Sequence, residues 1–502
     1  MSQSNLYSAN TKRYLRFAAV LSGVFSLGVL VFNFRRFGLD WGVESLIFTL
    51  GHLVLSAVGG ATTYGLLNAP HQKKLIKANN QLQESPKAVV SSNPSWHRPL
   101  GVLLMLSVLL GNPFNFMSGF IFYFRKIQAY QYFLLFAVLV DLTLVAVSLI
   151  NLAKPQVNPH FYLGMSLLLI NLMLHSLLLL APNWIDSLKG RMIIVPIVTM
   201  GVLSWSGNLL SFAAAYLLAK SRQQDKRRSL LANLARHEVA MFGLYIITVI
   251  LALAITSYLT FDYSYAVENN YSAILQTPSW LYPLGTDNFG RDVFSRLIFG
   301  GRISILVGLL ATLGPLFIGG FLGALAGYYS QRIDQTIMRV LDILYAIPGI
   351  LLAITIVTAF GTSTQNLILA LSIGGIPGYA RTMRASVLQV KQMEYIEAAR
   401  ALGVSDAKII LKHVIPNASA PMIIRSSLTV ATAVISTSSL SYLGLGVESH
   451  IPEWGNILRI GSDYLETHPY LAIYPGLAII ALVLSFNFLG DGLRDALDPK
   501  MK

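Results

Sequence analysis

Residues able to do chemistry are sparse in this chain. Its 502 positions hold 23 acidic residues, nine histidines and no cysteine. Lacking cysteine, it has no disulfide, thiolate metal ligand or cysteine nucleophile. The histidines and carboxylates show no metal-ligand cluster, no paired catalytic carboxylates and no Ser-His-Asp arrangement in their spacing. No Gly-x-x-x-x-Gly-Lys-Ser/Thr loop is present to cradle ATP phosphates. The expectation is therefore no catalytic residue, no cofactor and no metal site. Asp141, His52 and His175 stand inside apolar runs, where an ionisable group is expensive and often functional. A buried Asp satisfied by a neighbouring helix is the plainer alternative to a proton relay.

The elements that must position these residues are apolar. Hydrophobic residues make up 54% of the chain and charged ones 12%, about half the charge of an ordinary soluble protein. Charge-free runs such as 155–185, 192–219 and 343–380 exceed the roughly 20 residues that span a bilayer. Twelve spans are predicted, near 17–34, 43–67, 99–124, 131–153, 161–182 and 192–219, then 239–260, 304–329, 337–359, 365–380, 422–445 and 470–490. The fold class is an all-α integral membrane protein, a polytopic helix bundle. Pro113 interrupts the third span, and residues 360–366 read as a turn between the ninth and tenth. The run at 17–34 is too long for a signal peptide and no small-residue cleavage site follows it, so it reads as an uncleaved anchor.

The net charge of +14 invites a nucleic-acid reading, but position decides otherwise. Lysines and arginines number three in 1–16, five in 68–98 and six in 220–236, and two and then four spans separate these segments. The even numbers give one topology with the basic segments and both termini in the cytoplasm. Residues 220–237 then form a cytoplasmic linker, placed to anchor helix ends at anionic headgroups, between a membrane region at 1–219 and a second one at 238–502.

Within the second region the polar segment 381–421 reads as helix, turn, helix. Met393 to Leu402 is rich in good helix formers, and Gly403 can take the left-handed conformation that ends the helix. Ser405 can cap the next helix, and Pro416 stops it. Small alanines beside Glu397 let another protein's surface approach closely. Glu397-Ala398-Ala399, then Gly403, then Ile415-Pro416, resembles the EAA loop of bacterial ATP-binding-cassette (ABC) importer permeases, here at 394–417. Ile415 and His413 stand where that pattern has Leu and Ile. An amphipathic hairpin on the membrane surface is the plainer reading of the same residues.

Further motifs resemble the C-type permease subunit of dipeptide, oligopeptide and nickel importers and cover 228–502. They are Leu284 to Arg296, with Gly285, Thr286, Asp287, Gly290, Arg291 and Asp292; Ala326-Gly327-Tyr328-Tyr329; Met338 to Asp342; Ser441 to Gly446; and Pro452-Glu453-Trp454-Gly455. Thr286 or Asp287 can cap the helix leading into 304–329. Arg339 and Asp342, three apart, can pair on one helix face, and Gly319, Gly323 and Gly327 have the spacing that lets membrane helices pack closely.

The resemblance implies a type I ABC importer permease fold in the second half and a bacterial inner-membrane location. It implies a second, B-type permease, two cytoplasmic ATPases and an extracytoplasmic binding protein as partners, with lipid but no nucleic acid. By the same resemblance, Glu397, Ala398, Ala399, Gly403, Ile415 and Pro416 couple to the ATPase. The outward segment around Asp287 meets substrate, and Arg339 with Asp342 is a candidate gate. Peptides are the implied cargo, with nickel or another small solute as the alternative. Residues 1–219 match nothing in that family. A twelve-span secondary transporter remains the reading from another class, with Asp141 as its support.

Overall fold

The computed structural model describes residues 13–22, 24, 127–188, 190–222 and 230–498. The expected spans at 43–67 and 99–124, most of the one at 17–34, and His52 lie outside them. The chain divides into two compact units, Met1–Leu135 and Phe136–Lys502. In the first, residues 13–22 are helical, and Tyr14 stacks on Tyr132 with ring centroids 4.5 Å apart.

Among the described residues all regular structure is helical, apart from one antiparallel bridge between Thr286 and Asp292. The principal helices are α1 (Ala129–Leu149), α2 (Phe161–Leu180), α3 (Ile194–Leu203), α4 (Leu209–Arg222), α5 (Glu238–Thr260) and α6 (Val293–Tyr328). There follow α7 (Gln331–Tyr345), α8 (Gly349–Phe360), α9 (Thr364–Val390), α10 (Glu394–Ala401), α11 (Ala420–Tyr442), α12 (Trp454–Ser462) and α13 (Tyr470–Leu497). Six of them, α1, α2, α5, α6, α11 and α13, are long and apolar enough to cross a membrane.

Three expected spans take another form. The run 192–219 is two short helices, because the chain passes through a 3₁₀ turn to Gly207 at φ +83°. A Cβ there would lie 2.7 Å from the Ile255 side chain, so the break is packed against α5. The run 337–359 bends by 78° between α7 and α8, at Ala346-Ile347-Pro348. The run 365–380 continues without interruption to Val390, so a predicted span and the start of a predicted loop are one helix.

The central pair is α6 with α9. At 36 residues α6 is about 54 Å long at 1.5 Å per residue, more than a bilayer's hydrocarbon core needs. The glycine stripe predicted to pack does so at backbone contact. A Cβ on Gly319 would stand 2.6 Å from the Ile376 carbonyl oxygen, one on Gly323 2.3 Å from that of Ala380, and one on Gly327 2.9 Å from that of Arg384. Helices in lipid gain little from apolar burial against each other, so such close approach supplies their attraction. On its other side α6 presents Phe317, Ile318 and Phe321, all exposed, as apolar surface for lipid. A second cluster joins α5, α6, α11, α12 and α13 through Ile247, Ile305, Val434, Trp454, Leu482 and Phe486.

Gly323→Ala should therefore force α6 from α9, costing about 1–3 kcal/mol as an overpacked contact does. Gly476→Ala, where an added Cβ meets nothing within 4 Å, should be close to neutral. Thermal unfolding of the two purified variants in detergent checks this, and equal midpoints would contradict the packing argument.

Candidate functional site

The polar hairpin at the end of α6 and α9 is built by local chemistry. In α10 the chain stops at Gly403, φ +74°, with the Gly403 N–H donating to the Arg400 carbonyl (2.9 Å) and the Val404 N–H to that of Ala399 (3.1 Å). These are the two bonds of a Schellman motif, which satisfies the last carbonyls of the helix. Ser405 occupies the next N-cap position with extended backbone, but its hydroxyl makes no capping bond. Pro416 does not stop the second helix, contrary to expectation. A π-helical turn at Ile410–Val414 precedes it, and the chain stays helical to Ala418 before α11 begins at Ala420. Wider π turns shift the hydrogen-bond register, so the proline's missing N–H is absorbed.

Ile396, Ile409, Ile410 and Val414 are buried in one cluster with Ala324 and Tyr328 of α6 and with Tyr379, Met383, Val387 and Val390 of α9. Polar contacts reinforce that seat. The Tyr328 hydroxyl donates to Asp406 (2.5 Å), and the Arg400 guanidinium lies 5.1 Å over the Tyr328 ring. The Lys391 ammonium donates to the Gly327 carbonyl at 2.7 Å. The hairpin is thus fixed to the ends of the close-packed pair while Glu397, Ala398, Gly403 and Pro416 are exposed and Ala399 and Ile415 are half-buried. Leu402, 84% exposed at the tip, is the feature that residue order did not single out.

At the opposite end of α6 lies the segment 261–292. Its six motif residues are buried, and their side chains bond within the segment and to Lys154, while one terminal nitrogen of Arg291 has no hydrogen-bond partner. Gly285 (φ +79°) and Gly290 (φ +74°) make the tight turns. The Thr286 hydroxyl accepts from Gln276 N–H (2.8 Å) and donates to the Ala273 carbonyl. Asp287 accepts from the Phe289 and Arg291 backbone N–H groups (2.8 and 3.0 Å) and from Arg291 Nε (2.8 Å), with Arg296 Nε 3.5 Å away. The helix cap is neither Thr286 nor Asp287 but Asp292, whose carboxylate accepts from the N–H groups of Phe294 and Ser295. The six residues shape a rigid loop rather than display side chains.

Arg339 and Asp342 do not pair. Asp342 accepts from Arg381 of α9 at 2.6 Å, and the Arg381 guanidinium lies 3.9 Å over the Tyr345 ring. One turn on, Arg384 makes two 2.5 Å bonds to Asp334. Both pairs tie the bent α7 to α9, while Arg339 is exposed.

Asp141 is not alone. His175 Nδ1 bonds its carboxyl, Asn208 donates to the same carboxyl (3.1 Å), and His175 Nε2 lies 2.6 Å from the Ser211 hydroxyl. The order of groups is that of a Ser-His-Asp triad, which spacing in the sequence did not show. All three side chains are fully buried, however, and Ser211 gives its proton to the Met200 carbonyl (2.7 Å). Nε2 is then the donor to Ser211. The arrangement is a hydrogen-bonded tie among α1, α2, α3 and α4, in which the Ser211 hydroxyl is already committed to Met200.

Glu453, fully buried, opens α12 by accepting from the Asn456 N–H (3.1 Å), with the hydroxyls of Ser304 and Ser438 each 3.5 Å away. Burial pushes its carboxyl above the usual range, opposed by donors from Gly455, Ser441, Asn456 and Ser304.

Long apolar helices joined at glycine contacts, with a polar hairpin at one end, are the architecture of a multi-pass membrane protein. The profile described as the inner membrane component of binding-protein-dependent transport systems matches residues 319–502. A dipeptide transport system permease protein, DppC, of Alkalihalophilus pseudofirmus is 43% identical over 275 residues, covering 55% of this chain and 90% of that protein. A glutathione transport system permease protein, GsiD, of Pectobacterium atrosepticum is 42% identical, covering 54% and 89%. A solved inward-facing methionine ABC transporter, MetNI, is 20% identical and covers 40% of this chain and 97% of its own, with a TM-score of 0.34. The chain belongs to the family of binding-protein-dependent transport permeases, whose members are non-catalytic membrane components working with other subunits.

Because the folded state raises the Glu453 pKa, that carboxyl's contribution to stability is full below its ordinary value of 4.5 and is lost as pH rises through the elevated one. The unfolding midpoint should fall with rising pH in that window, and Glu453→Gln should flatten the slope. An unchanged slope in Glu453→Gln would assign the dependence to another group.

Proposed function

We propose that this chain is the C-type permease subunit of an ATP-driven importer of di- or oligopeptides, forming the pathway with a second, B-type permease. The single observation carrying this reading is the hairpin 394–417, seated on α6 and α9 by its apolar side and presenting Glu397, Ala398, Leu402 and Gly403 outward. Two cytoplasmic ATPases supply the energy, and the exposed face of the hairpin is the groove-filling contact for one of them. The peptide cargo is supported by the dipeptide and glutathione permeases that resemble the chain over its second half.

In this reading the hairpin end of α6 is cytoplasmic and the 261–292 loop faces outward, where a binding protein delivers substrate. The ends of the basic linker and of α13 agree with each other, since Asn233 donates to the Ala496 carbonyl at 3.3 Å and His237 lies 3.6 Å from Asp495. Both belong on the cytoplasmic side, as do the termini. Closure of the ATPases moves the hairpin, and the rigid α6 and α9 pair carries that displacement across the membrane. The two arginine pairs make α7 travel with α9, so that Asp342 and Arg381 lie where the pathway opens and closes.

Gly403→Asp tests the coupling contact. A Cβ at Gly403 meets nothing within 4 Å, so the local cost is the left-handed conformation itself, about 1–2 kcal/mol. The protein should insert and accumulate normally while ATP-dependent peptide uptake falls to background. Retained uptake at normal expression would refute the coupling role, and uptake driven by a proton gradient without ATP would refute the importer.

A further inference from the structure

The segment between α1 and α2, residues 150–158, precedes the region that resembles other permeases, yet Asn151, Lys154 and Asn158 bond the two ends of the 261–292 loop. The two segments therefore share one side, and the alternation of twelve full spans, which sets them on opposite sides, does not hold where 192–219 is two short helices. Asn151 Nδ2 donates to the Thr260 carbonyl at 2.9 Å, and Asn158 Nδ2 donates to the Phe261 and Tyr258 carbonyls at 2.8 and 3.2 Å. These carbonyls end α5 and have no partner within their own helix. Where the loop closes, at the start of α6, Lys154 Nζ donates to Asp292 Oδ2 (2.5 Å) and to the Ser295 hydroxyl (2.7 Å) and lies 4.3 Å over the Tyr265 ring. Lys154 and Asp292 are 3% and 0% exposed in their side chains. Asp292 is the cap of α6, and it also faces the backbone of Phe294 and Ser295. One short segment therefore satisfies the last turn of the helix entering the loop and the first turn of the helix leaving it.

We infer that residues 150–158 are a built-in clasp, with Lys154 as a positioning residue that holds the 261–292 loop in the shape its binding protein recognises. The alternatives for these contacts are poorer. A buried ammonium aimed at a buried carboxylate is costly unless each neutralises the other, so this pair is retained for the geometry it imposes. Surface anchoring would leave Lys154 among lipid headgroups, whereas it is buried among loop residues. The inference rests on the outward placement of this loop in the importer reading, and it assigns the N-terminal region a contribution to docking.

The test uses the full chain assembled with its second permease and ATPases in proteoliposomes, with Ala-Ala-loaded binding protein as the probe. Lys154→Met should speed hydrogen exchange at the loop amides of Asn270, Leu275 and Thr286 by about tenfold, since these donate across the loop to Phe289, Asp287 and Gln276. It should also raise the half-saturating concentration of binding protein by about tenfold, with the maximal uptake rate within about twofold of the original. Lys154→Arg should restore both. A structural role alone would lower the maximal rate and leave half-saturation where it was.

Should Lys154→Met fail to fold because it strands Asp292, the double variant Lys154→Met with Asp292→Asn removes both charges, keeps a capping side chain, and should show the same exchange and half-saturation changes. Unchanged exchange in whichever variant folds overturns the clasp, and faster exchange with unchanged half-saturation overturns its role in docking. If the unaltered transporter is not stimulated by any binding protein, the importer reading fails, and the exchange measurement still decides the clasp.

Discussion

The backbone contact between α6 and α9 is the constraint from which the rest of the second unit hangs. At Gly319, Gly323 and Gly327 the two helices meet at distances that no side chain could occupy, because the α9 carbonyls of Ile376, Ala380 and Arg384 fill the space a Cβ would need. In lipid, apolar burial pulls helices together only weakly, and contact of this kind replaces it. The consequence is that the part of α6 nearest the 394–417 hairpin, within a helix about 54 Å long, is held to α9 at backbone distance. One end carries the 261–292 loop through Asp292, and the other carries the 394–417 hairpin through Tyr328 and Lys391.

Three carboxyl groups buried near or within the apolar bundle find their partners inside the protein. Asp141 has His175 and Asn208, Glu453 has the first N–H groups of α12 with hydroxyls from α6 and α11, and Asp292 has Lys154. Unpaired, any of these would cost several kcal/mol. Paired, they contribute specificity of position, since a helix that slid by one turn would break them. The exposed charges behave differently. The Arg381 to Asp342 pair, 39% and 55% exposed, is worth at most about 1 kcal/mol.

Much of the candidate site was legible in residue order because its chemistry is local. Gly403 closes α10 through bonds to Ala399 and Arg400, all within five residues, so the turn could be read directly. The external motif was visible as a motif but not as an architecture. Thr286, Asp292 and Arg296 look like residues offered to a ligand, but Thr286 bonds Ala273 and Gln276, Arg296 bonds the Ala266 carbonyl and Asp292 bonds Lys154, contacts that spacing does not reveal. The cap fell to Asp292 because the bridge between Thr286 and Asp292 brings the chain back on itself just before α6 begins.

By itself the sequence determined a helical membrane protein, its glycine-spaced packing face, its helix-turn-helix hairpin and its kinship with transport permeases. These depend on hydropathy, which acts residue by residue, and on glycine and proline, which act on their own backbone. Tertiary structure alone decided that 192–219 breaks at Gly207, that Asp342 turns to Arg381, and that Asp141, His175 and Ser211 meet. It alone decided that Lys154 reaches 138 residues along the chain to Asp292. Each of these outcomes is set by which helix lies beside which, and the free energy of a buried polar pair exists only once both partners have been brought out of water together.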